Sequence, residues 1–289
     1  MARIMESGSE VDRLLSGAQV EQVINLARQA GRAILEIYNA PNGFEVARKL
    51  DESVLTQADL ESNRILVHGL QLLEPLWPVL SEECPQSHAS DIRQQWPTLW
   101  MIDPLDGTKD FVHRTGEFAI NIALVDQGKA HWGLVYSPVL ETAWHGGGGY
   151  GSYVRYDHSA TDHRIHAQVP AARPLRALVS RNHHGGAEHR ILAEIDRDDY
   201  GPAQSLQHGS SIKYCKIAEG QADFMPRLHP CMEWDTAAPQ AILEGAGGQV
   251  LTTQGQALTY NSRTTLLNGN LVALADPALP WQQWLEGAQ

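Results

Sequence analysis

The chain has 289 residues, of which 43% are hydrophobic and 19% are charged, so it is long enough to bury a sizeable core. Its formal net charge of −12 at pH 7 argues against a binder of nucleic acid polymers, because such proteins need a basic surface to displace counterions. A bound divalent cation can still attract a small anionic substrate to an acidic chain.

Two amphipathic helices are predicted in the first quarter of the chain. Between Gln19 and Asn39 apolar residues recur at the helical period, and the turn-forming segment Pro41 to Gly43 ends the helix. A second helix is predicted after Thr56 and ends before Pro75. The predicted buried face of the first helix comprises Val20, Val23, Ile24, Ala27, Ile34, Leu35 and Tyr38.

The next part of the chain has the alternation of an antiparallel sheet. Thr98–Ile102 is short and β-rich and runs directly into Asp103 and Pro104, so we expect a strand that ends in a turn. Alternating stretches separated by turn residues follow, and their spacing predicts an antiparallel meander. These stretches are Phe118–Val125, Ala130–Tyr136, Glu141–His145 and Gly151–Tyr156.

After a polar connector at Ser159–His166, short strands alternate with helices. The strand Leu175–Val179 begins this part, which is typical of an α/β region. The predicted helical segments are Glu188–Ile195, Ser210–Glu219 and Thr236–Ala246. We therefore expect an α+β domain with an antiparallel sheet over residues 19–161 and an α/β domain over residues 162–289.

The cysteines and the apolar runs indicate the compartment. Cys84, Cys215 and Cys231 lie far apart and form no CxxC pair, which favours buried free thiols in a reducing, cytoplasmic setting. No stretch approaches the roughly 18 uncharged apolar residues of a membrane span, so we expect no transmembrane segment. Peripheral association with the inner face of the cell membrane stays open.

The segment WMIDPLDGTKDF, Trp100 to Phe111, holds the densest chemical signal. Asp103 and Asp106 lie three residues apart around a proline, and the Leu105 carbonyl between them could be a further oxygen ligand. Mg2+ prefers such an all-oxygen set, which a phosphate could complete. The Thr108 hydroxyl could face an anion or an attacking water. The alternative is a structural turn whose aspartates only accept backbone amides.

Further carboxylates occur at two other places in the sequence. Glu82 follows an apolar run, and Asp235 stands at the start of a predicted helix, where we expect it to cap the helix and where a capping aspartate can also be a ligand. Thr56 and Asp59 fit a capping box, which favours a structural role for Asp59. Asp51 precedes them in a loop and is freer to take part in chemistry.

Three motifs in this order resemble the lithium-sensitive, magnesium-dependent phosphatases of the inositol monophosphatase superfamily: Glu82, IDPLDGT at Ile102–Thr108, and WDTAA at Trp234–Ala238. Within the superfamily, DGTKDF, GEFAINIALVDQGK, VSRNH, GSSIKYCKIAEGQADF and MPRLHP are most similar to bacterial 3'(2'),5'-bisphosphate nucleotidases. The resemblance implies a layered αβαβα sandwich of the inositol monophosphatase and fructose-1,6-bisphosphatase type, with α+β and α/β halves.

The resemblance also implies two or more Mg2+ ions per active site. One ion would be held by Glu82, Asp103 and the Leu105 carbonyl, and another by Asp103, Asp106 and Asp235. Thr108 with Asp51 would orient and deprotonate the attacking water. The implied substrate contacts are Glu82, Leu105, Asp106, Gly107, Thr108, His183, Ser210, Lys213, Arg227 and Asp235.

The expected reaction is hydrolysis of the 3'-phosphate of adenosine 3',5'-bisphosphate to AMP and phosphate. Ser210 and Lys213 lie three apart on one predicted helix face, and a cationic set suits a second phosphate, although each cation alone could be a surface charge. Alternatives are an inositol or sugar monophosphatase, and a non-catalytic metal- or nucleotide-binding protein. A homodimer stays open.

Overall fold

The computed structural model describes residues 14–41, 43–44, 46–48, 54–180 and 186–288. The helices are α1 (Gly17–Tyr38), α2 (Gln57–Gln71), α3 (Ser90–Arg93), α4 (Thr108–Val112), α5 (Gly186–Asp196), α6 (Ile212–Ala218), α7 (Ala237–Gly245) and α8 (Trp281–Gly287), and two 3-10 turns lie at Pro85–Ser87 and Glu233–Asp235. Within these ranges, no helix combines the length and the apolar character needed to cross a membrane.

The larger sheet has seven strands in chain order. They are β3 (Val79–Ser81), β4 (Thr98–Asp106), β5 (Ala119–Asp126), β6 (Lys129–Ser137), β7 (Thr142–Gly147), β8 (Gly151–Tyr156) and β9 (His163–Ile165). β3 is parallel to β4, and the remaining neighbours are antiparallel, so the predicted meander is confirmed. A separate antiparallel pair joins β1 (Val46–Arg48) to β2 (Val54–Thr56).

The second sheet has five strands in the order β11-β10-β12-β16-β14. They are β10 (Arg176–Ser180), β11 (Gln204–His208), β12 (Phe224–Arg227), β14 (Gln249–Thr252) and β16 (Leu271–Leu274). The first three of that order are mutually parallel, and β16 is antiparallel to both of its neighbours. β13 (Cys231–Met232) and β15 (Leu267–Asn268) form a separate, short antiparallel pair.

The core arranges these elements in five layers. On β5, Ile120, Ile122 and Leu124 pack with residues of α1 and α2, whereas Ala119 and Ala123, which point to the opposite face, pack with residues of α6 and α7. The α6–α7 layer also contacts one face of the five-stranded sheet, and α5 and α8 cover its other face. The predicted αβαβα sandwich is therefore confirmed.

One glycine brings the middle layers close together. A Cβ built on Gly133 of β6 would lie 2.2 Å from the backbone oxygen of Ala238 in α7, so only glycine fits there. This close approach holds α7, and the turn that precedes it, against the larger sheet. That turn contains Asp235.

Most predicted elements lie within a few residues of their observed bounds, with two differences. The turn expected at Asp103 and Pro104 is wrong, because β4 continues to Asp106 with its pairing to β5 interrupted between Asp103 and Asp106. A proline has no N–H for the ladder and is tolerated at such an irregularity. The predicted connector Ser159–His166 contains β9. The domain division at residue 161 stays a prediction.

Candidate active site

A carboxylate cluster lies where β4 ends beside the turn before α7. Asp103, Asp106 and Asp235 each offer an oxygen, and these oxygens lie within 4.8 Å of one another. Asp103 is 2% exposed, and the other two are half-buried. Three acidic groups at this separation repel one another strongly when ionised, so the cluster is suited to a cation.

Glu82 adds a fourth carboxylate to this region. It follows β3 directly, and its amide donates to the Ile102 carbonyl oxygen at 3.3 Å, which places it alongside β4. Burial raises the pKa of Asp103 well above its usual range, and the charges of Glu82, Asp106 and Asp235 raise it further. The residue predicted as the bridging ligand thus has three acidic neighbours, each of which raises its pKa.

Asp235 lies in the 3-10 turn before α7 and caps the backbone of that turn, whereas the N-cap of α7 itself is Thr236. Asp235 Oδ2 accepts from the Met232 amide at 3.1 Å and lies 3.6 Å from an Arg227 nitrogen. Burial raises the pKa of Asp235 to about 7, although the charge of Arg227 acts in the opposite direction. A bound divalent cation would favour the ionised form of this carboxyl group.

The backbone after Asp103 is shaped by the site residues themselves. Asp103 Oδ1 accepts from the Leu105 amide at 3.0 Å, and the Leu105 carbonyl accepts from the Thr108 hydroxyl at 3.2 Å. Gly107 has φ 92, and a Cβ there would lie 3.0 Å from the Glu117 carbonyl oxygen, so this left-handed turn requires glycine. The turn presents Asp106 and Thr108 on either side of Gly107.

The described carboxylate next to Thr108 is Asp59. The Thr108 hydroxyl lies 3.2 Å from Asp59 Oδ1, and Asp59 Oδ2 accepts from the Thr56 amide at 2.8 Å and the Thr56 hydroxyl at 2.6 Å. Burial raises the pKa of Asp59, and the charge of Glu82 contributes. The predicted partner, Asp51, lies outside the described residues. The capping box was recognised from sequence, but it uses only one of the two Asp59 oxygens.

The segment before α6 closes the site on another side. The Ser211 amide donates to Asp106 Oδ2, and the Ser211 hydroxyl donates to Asn121 Oδ1 at 2.6 Å. Ser210 has φ 47 and precedes the helix, so the expectation that it shares a helix face with Lys213 is wrong. It lies instead beside Gly107, where a Cβ on the glycine would be 3.2 Å from the Ser210 Cβ.

Two cationic side chains, the buried Lys213 and the half-buried Arg227, adjoin the carboxylates. Lys213 is 7% exposed, and its burial together with the nearby charge of Arg227 lowers the pKa of Lys213 to about 8. Arg227 has a buried Nε without a hydrogen-bond partner in the described part of the chain. The structure thus brings together Lys213, Arg227 and Asp235, whereas His183 lies outside the described residues.

The donor set fits a hard divalent cation. The clustered ligand atoms of Asp103, Asp106 and Asp235 are all carboxylate oxygens, without sulfur or imidazole, and the pKa values of Asp103 and Asp235 are raised. All three cysteines are free thiols, and none belongs to this donor set; Cys215 and Cys231 are buried as predicted, whereas Cys84 is only half-buried.

Comparisons with known proteins agree on one family. The model of the inositol monophosphatase family matches residues 18–283 of this chain. The 3'(2'),5'-bisphosphate nucleotidase CysQ of Salmonella typhimurium is 42% identical over 249 residues, which cover 86% of this chain and 96% of that protein. The CysQ protein of Escherichia coli K12 is 39% identical with the same coverage. The crystal structure of CysQ from Bacteroides thetaiotaomicron has a TM-score of 0.78 at 34% identity and covers 91% of this chain and 98% of its own.

Proposed function

The chain belongs to the inositol monophosphatase family, and we propose that within this family it is a 3'(2'),5'-bisphosphate nucleotidase. The reaction is hydrolysis of the 3'-phosphate of adenosine 3',5'-bisphosphate to AMP and inorganic phosphate. The observation that carries the proposal is the position of two cationic side chains, the buried Lys213 and the half-buried Arg227, beside the carboxylate cluster. Such a site can bind one phosphate through metal ions held by the carboxylates. It can bind a second phosphate through the cationic side chains of Lys213 and Arg227.

The enzyme is metal-dependent, and we propose Mg2+ as the ion. When bound, such ions act as Lewis acids on phosphoryl oxygens and lower the pKa of water. The residues that would hold two or more ions are Glu82, Asp103, the Leu105 carbonyl, Asp106 and Asp235. Asp103 would bridge, because it is the most buried of the clustered carboxylates and is affected by the charges of the other three.

Thr108 and Asp59 are proposed to orient the attacking water. Because the Thr108 hydroxyl donates one proton at a time, a bond to Asp59 Oδ1 leaves its oxygen lone pairs able to accept from a water molecule. A carboxyl group whose pKa is raised by burial is also a better proton acceptor near neutral pH. Asp51 stays a prediction for the same role.

Lys213 and Arg227 are proposed to recognise the substrate's second phosphate. The pKa of Lys213, lowered to about 8, still leaves most of this side chain charged at pH 7. Arg227 is paired with Asp235 at 3.6 Å through one terminal nitrogen, and the rest of its guanidinium fork can donate to phosphate oxygens. Ser210 and the Gly107 turn form the neighbouring wall, and His183 stays a predicted contact.

The test is phosphate release from adenosine 3',5'-bisphosphate and from inositol 1-phosphate, each with Mg2+ and with EDTA. We expect the nucleotide to be hydrolysed with the higher kcat/KM and EDTA to abolish release. Asp106→Asn should lower kcat at least about 100-fold, whereas Asp126→Asn, at the far end of β5, should not. Preference for inositol 1-phosphate would overturn the nucleotidase assignment. Unchanged activity of Asp106→Asn would overturn the metal site.

The cytoplasmic location, peripheral membrane association and homodimer stay predictions. Binding of a nucleic acid polymer is not proposed, because the chain is strongly acidic.

A further inference from the structure

The metal ligands proposed above come from separate chain segments, and a buried polar cluster joins two of those segments outside the site. We infer that Arg93, Asn261 and Glu233 form a clasp that holds the Glu82 segment against the Asp235 turn. The clasp thereby sets the distance between the proposed metal ligands Glu82 and Asp235. The inference rests on the proposed function, since it concerns cation binding at that site. None of the three residues is among the proposed ligands, so they are positioning residues.

Arg93 lies on the Glu82 side of the clasp. It is 0% exposed, although arginine is rarely buried completely unless its donors are paired. Its Nε donates to the His88 carbonyl at 3.0 Å, within its own segment. Its terminal nitrogens cross to the other segment, where they donate to Asn261 Oδ1 at 3.1 Å, the Arg263 carbonyl at 2.9 Å and the Thr264 carbonyl at 2.7 Å.

Asn261 returns the contact and transmits it to the acidic turn. Its Nδ2 donates to the Arg93 carbonyl at 2.6 Å and the Trp96 carbonyl at 3.3 Å. Its backbone amide donates to Glu233 Oε2 at 2.6 Å. Asn261 has φ 53, a left-handed conformation that asparagine adopts more readily than most residues. In this conformation its backbone amide bonds to Glu233 while its side chain bonds to Arg93.

Glu233 connects the clasp to the proposed ligand Asp235, because both lie in the same 3-10 turn. Glu233 is 0% exposed, its Oε1 accepts from Arg263 at 2.9 Å, and its amide donates to the Leu266 carbonyl at 2.8 Å. A fully buried carboxylate with both oxygens hydrogen-bonded is fixed in one position. The turn that carries Asp235 therefore cannot shift without breaking these bonds.

A second contact completes the connection on the side of Glu82. The His88 and Trp234 rings lie 5.2 Å apart, centroid to centroid, and the His88 Nε2 lies 2.6 Å from the Ser81 carbonyl oxygen. Ser81 immediately precedes Glu82, and Trp234 immediately precedes Asp235. Because ionised carboxylates repel one another, the two segments need such a link to stay at the separation that a cation requires.

The experiment compares clasp variants with a buried ion pair elsewhere. Arg176 and Asp223 provide the control, because Asp223 is 0% exposed and accepts from Arg176 at 2.8 Å on both oxygens, at β10 and just before β12. The variants are Arg93→Met, Glu233→Gln and Arg176→Met. Mg2+ binding to the whole protein is measured by isothermal titration calorimetry, and thermal unfolding in EDTA reports the stability of each variant.

We expect both clasp variants to bind Mg2+ about 10-fold or more weakly, as is typical when residues that orient ligands are lost. At saturating Mg2+ the KM for the nucleotide should stay unchanged, because none of the hydrogen bonds of the clasp described above involves Ser210, Lys213 or Arg227, the residues beside the proposed second-phosphate site. Arg176→Met should lose stability but keep its Mg2+ affinity. Because Glu233→Gln keeps the shape of the side chain, it decides the outcome if Arg93→Met does not fold.

Wild-type Mg2+ affinity in the clasp variants would overturn the inference. The same weakening in Arg176→Met would also overturn it, since the effect would then follow stability alone. A wild-type protein that binds no more Mg2+ than Asp106→Asn would instead overturn the proposed metal site, and this result is separate from the other two.

Discussion

Replacing Asp59 with asparagine tests the proposed water-orienting pair most directly. The side chain accepts two bonds from Thr56 on one oxygen and lies beside the Thr108 hydroxyl on the other. Asparagine has one oxygen acceptor and one NH2 donor. If its oxygen keeps the Thr56 bonds, its NH2 group faces Thr108, and the hydroxyl must accept a bond where it previously donated one.

The two roles of Asp59 predict losses of different size. Weakening the cap of α2 should cost about 1 kcal/mol of unfolding free energy. Loss of the proton acceptor should lower kcat by roughly 10²- to 10⁴-fold. This corresponds to about 3–5 kcal/mol in the activation free energy. The KM should change little, because neither the carboxylate cluster nor Lys213 is altered.

The assay is steady-state phosphate release at saturating Mg2+, with thermal unfolding measured on the same samples. Thr56→Val is the matched control, because it removes the hydroxyl of the cap but leaves Asp59 Oδ1 beside Thr108. It should destabilise the protein with kcat retained. If Asp59→Asn keeps the wild-type kcat while Asp51→Asn loses it, the reasoning is refuted and the role belongs to Asp51.

Two further predictions follow from the charged groups of the site. In EDTA, unfolding free energy should rise as the pH falls from about 7 toward 4, because the folded pKa of Asp235 is raised to about 7 and that of Asp103 is raised well above its usual range. This stability is lost as the pH rises through the folded pKa values, and Mg2+ should flatten the profile; a flat profile in EDTA, measured by urea unfolding, would contradict the prediction. Lys213→Met should raise the KM for adenosine 3',5'-bisphosphate about 10- to 100-fold, since a charge-assisted hydrogen bond is lost, with little effect on inositol 1-phosphate. Equal effects on both substrates would place Lys213 outside recognition of the second phosphate.

Local patterns predicted much of the fold because they arise from neighbouring residues. The helical period of α1 and the capping box of α2 are encoded within one or two turns. Along β5, large and small side chains alternate because successive residues point to its two different buried faces. β9 was missed because it is a three-residue edge strand in a polar segment, and its pairing with β8 depends on backbone groups. The extension of β4 was missed because Pro104 normally indicates an interruption.

The proposed metal ligands could be predicted because their chemistry is concentrated in short motifs, but their environment could not. Asp59 is an example: the capping box predicts the bond of its Oδ2 to Thr56, but no local pattern predicts that its Oδ1 lies beside Thr108. Ser210 shows the limit at a helix boundary, where a left-handed residue shifts a side chain away from the face expected from a helical spacing.

The clasp was beyond prediction from sequence for a more general reason. Arg93 and Asn261 are 168 positions apart, and neither residue type suggests a partner by itself. An acidic cluster that binds cations is electrostatically unfavourable in the cation-free protein, so bonds elsewhere must keep its segments in place. Those bonds join residues that are far apart in sequence, so no local sequence pattern predicts them. The proposed ligands can therefore be predicted from local sequence motifs, whereas their spacing depends on the whole fold.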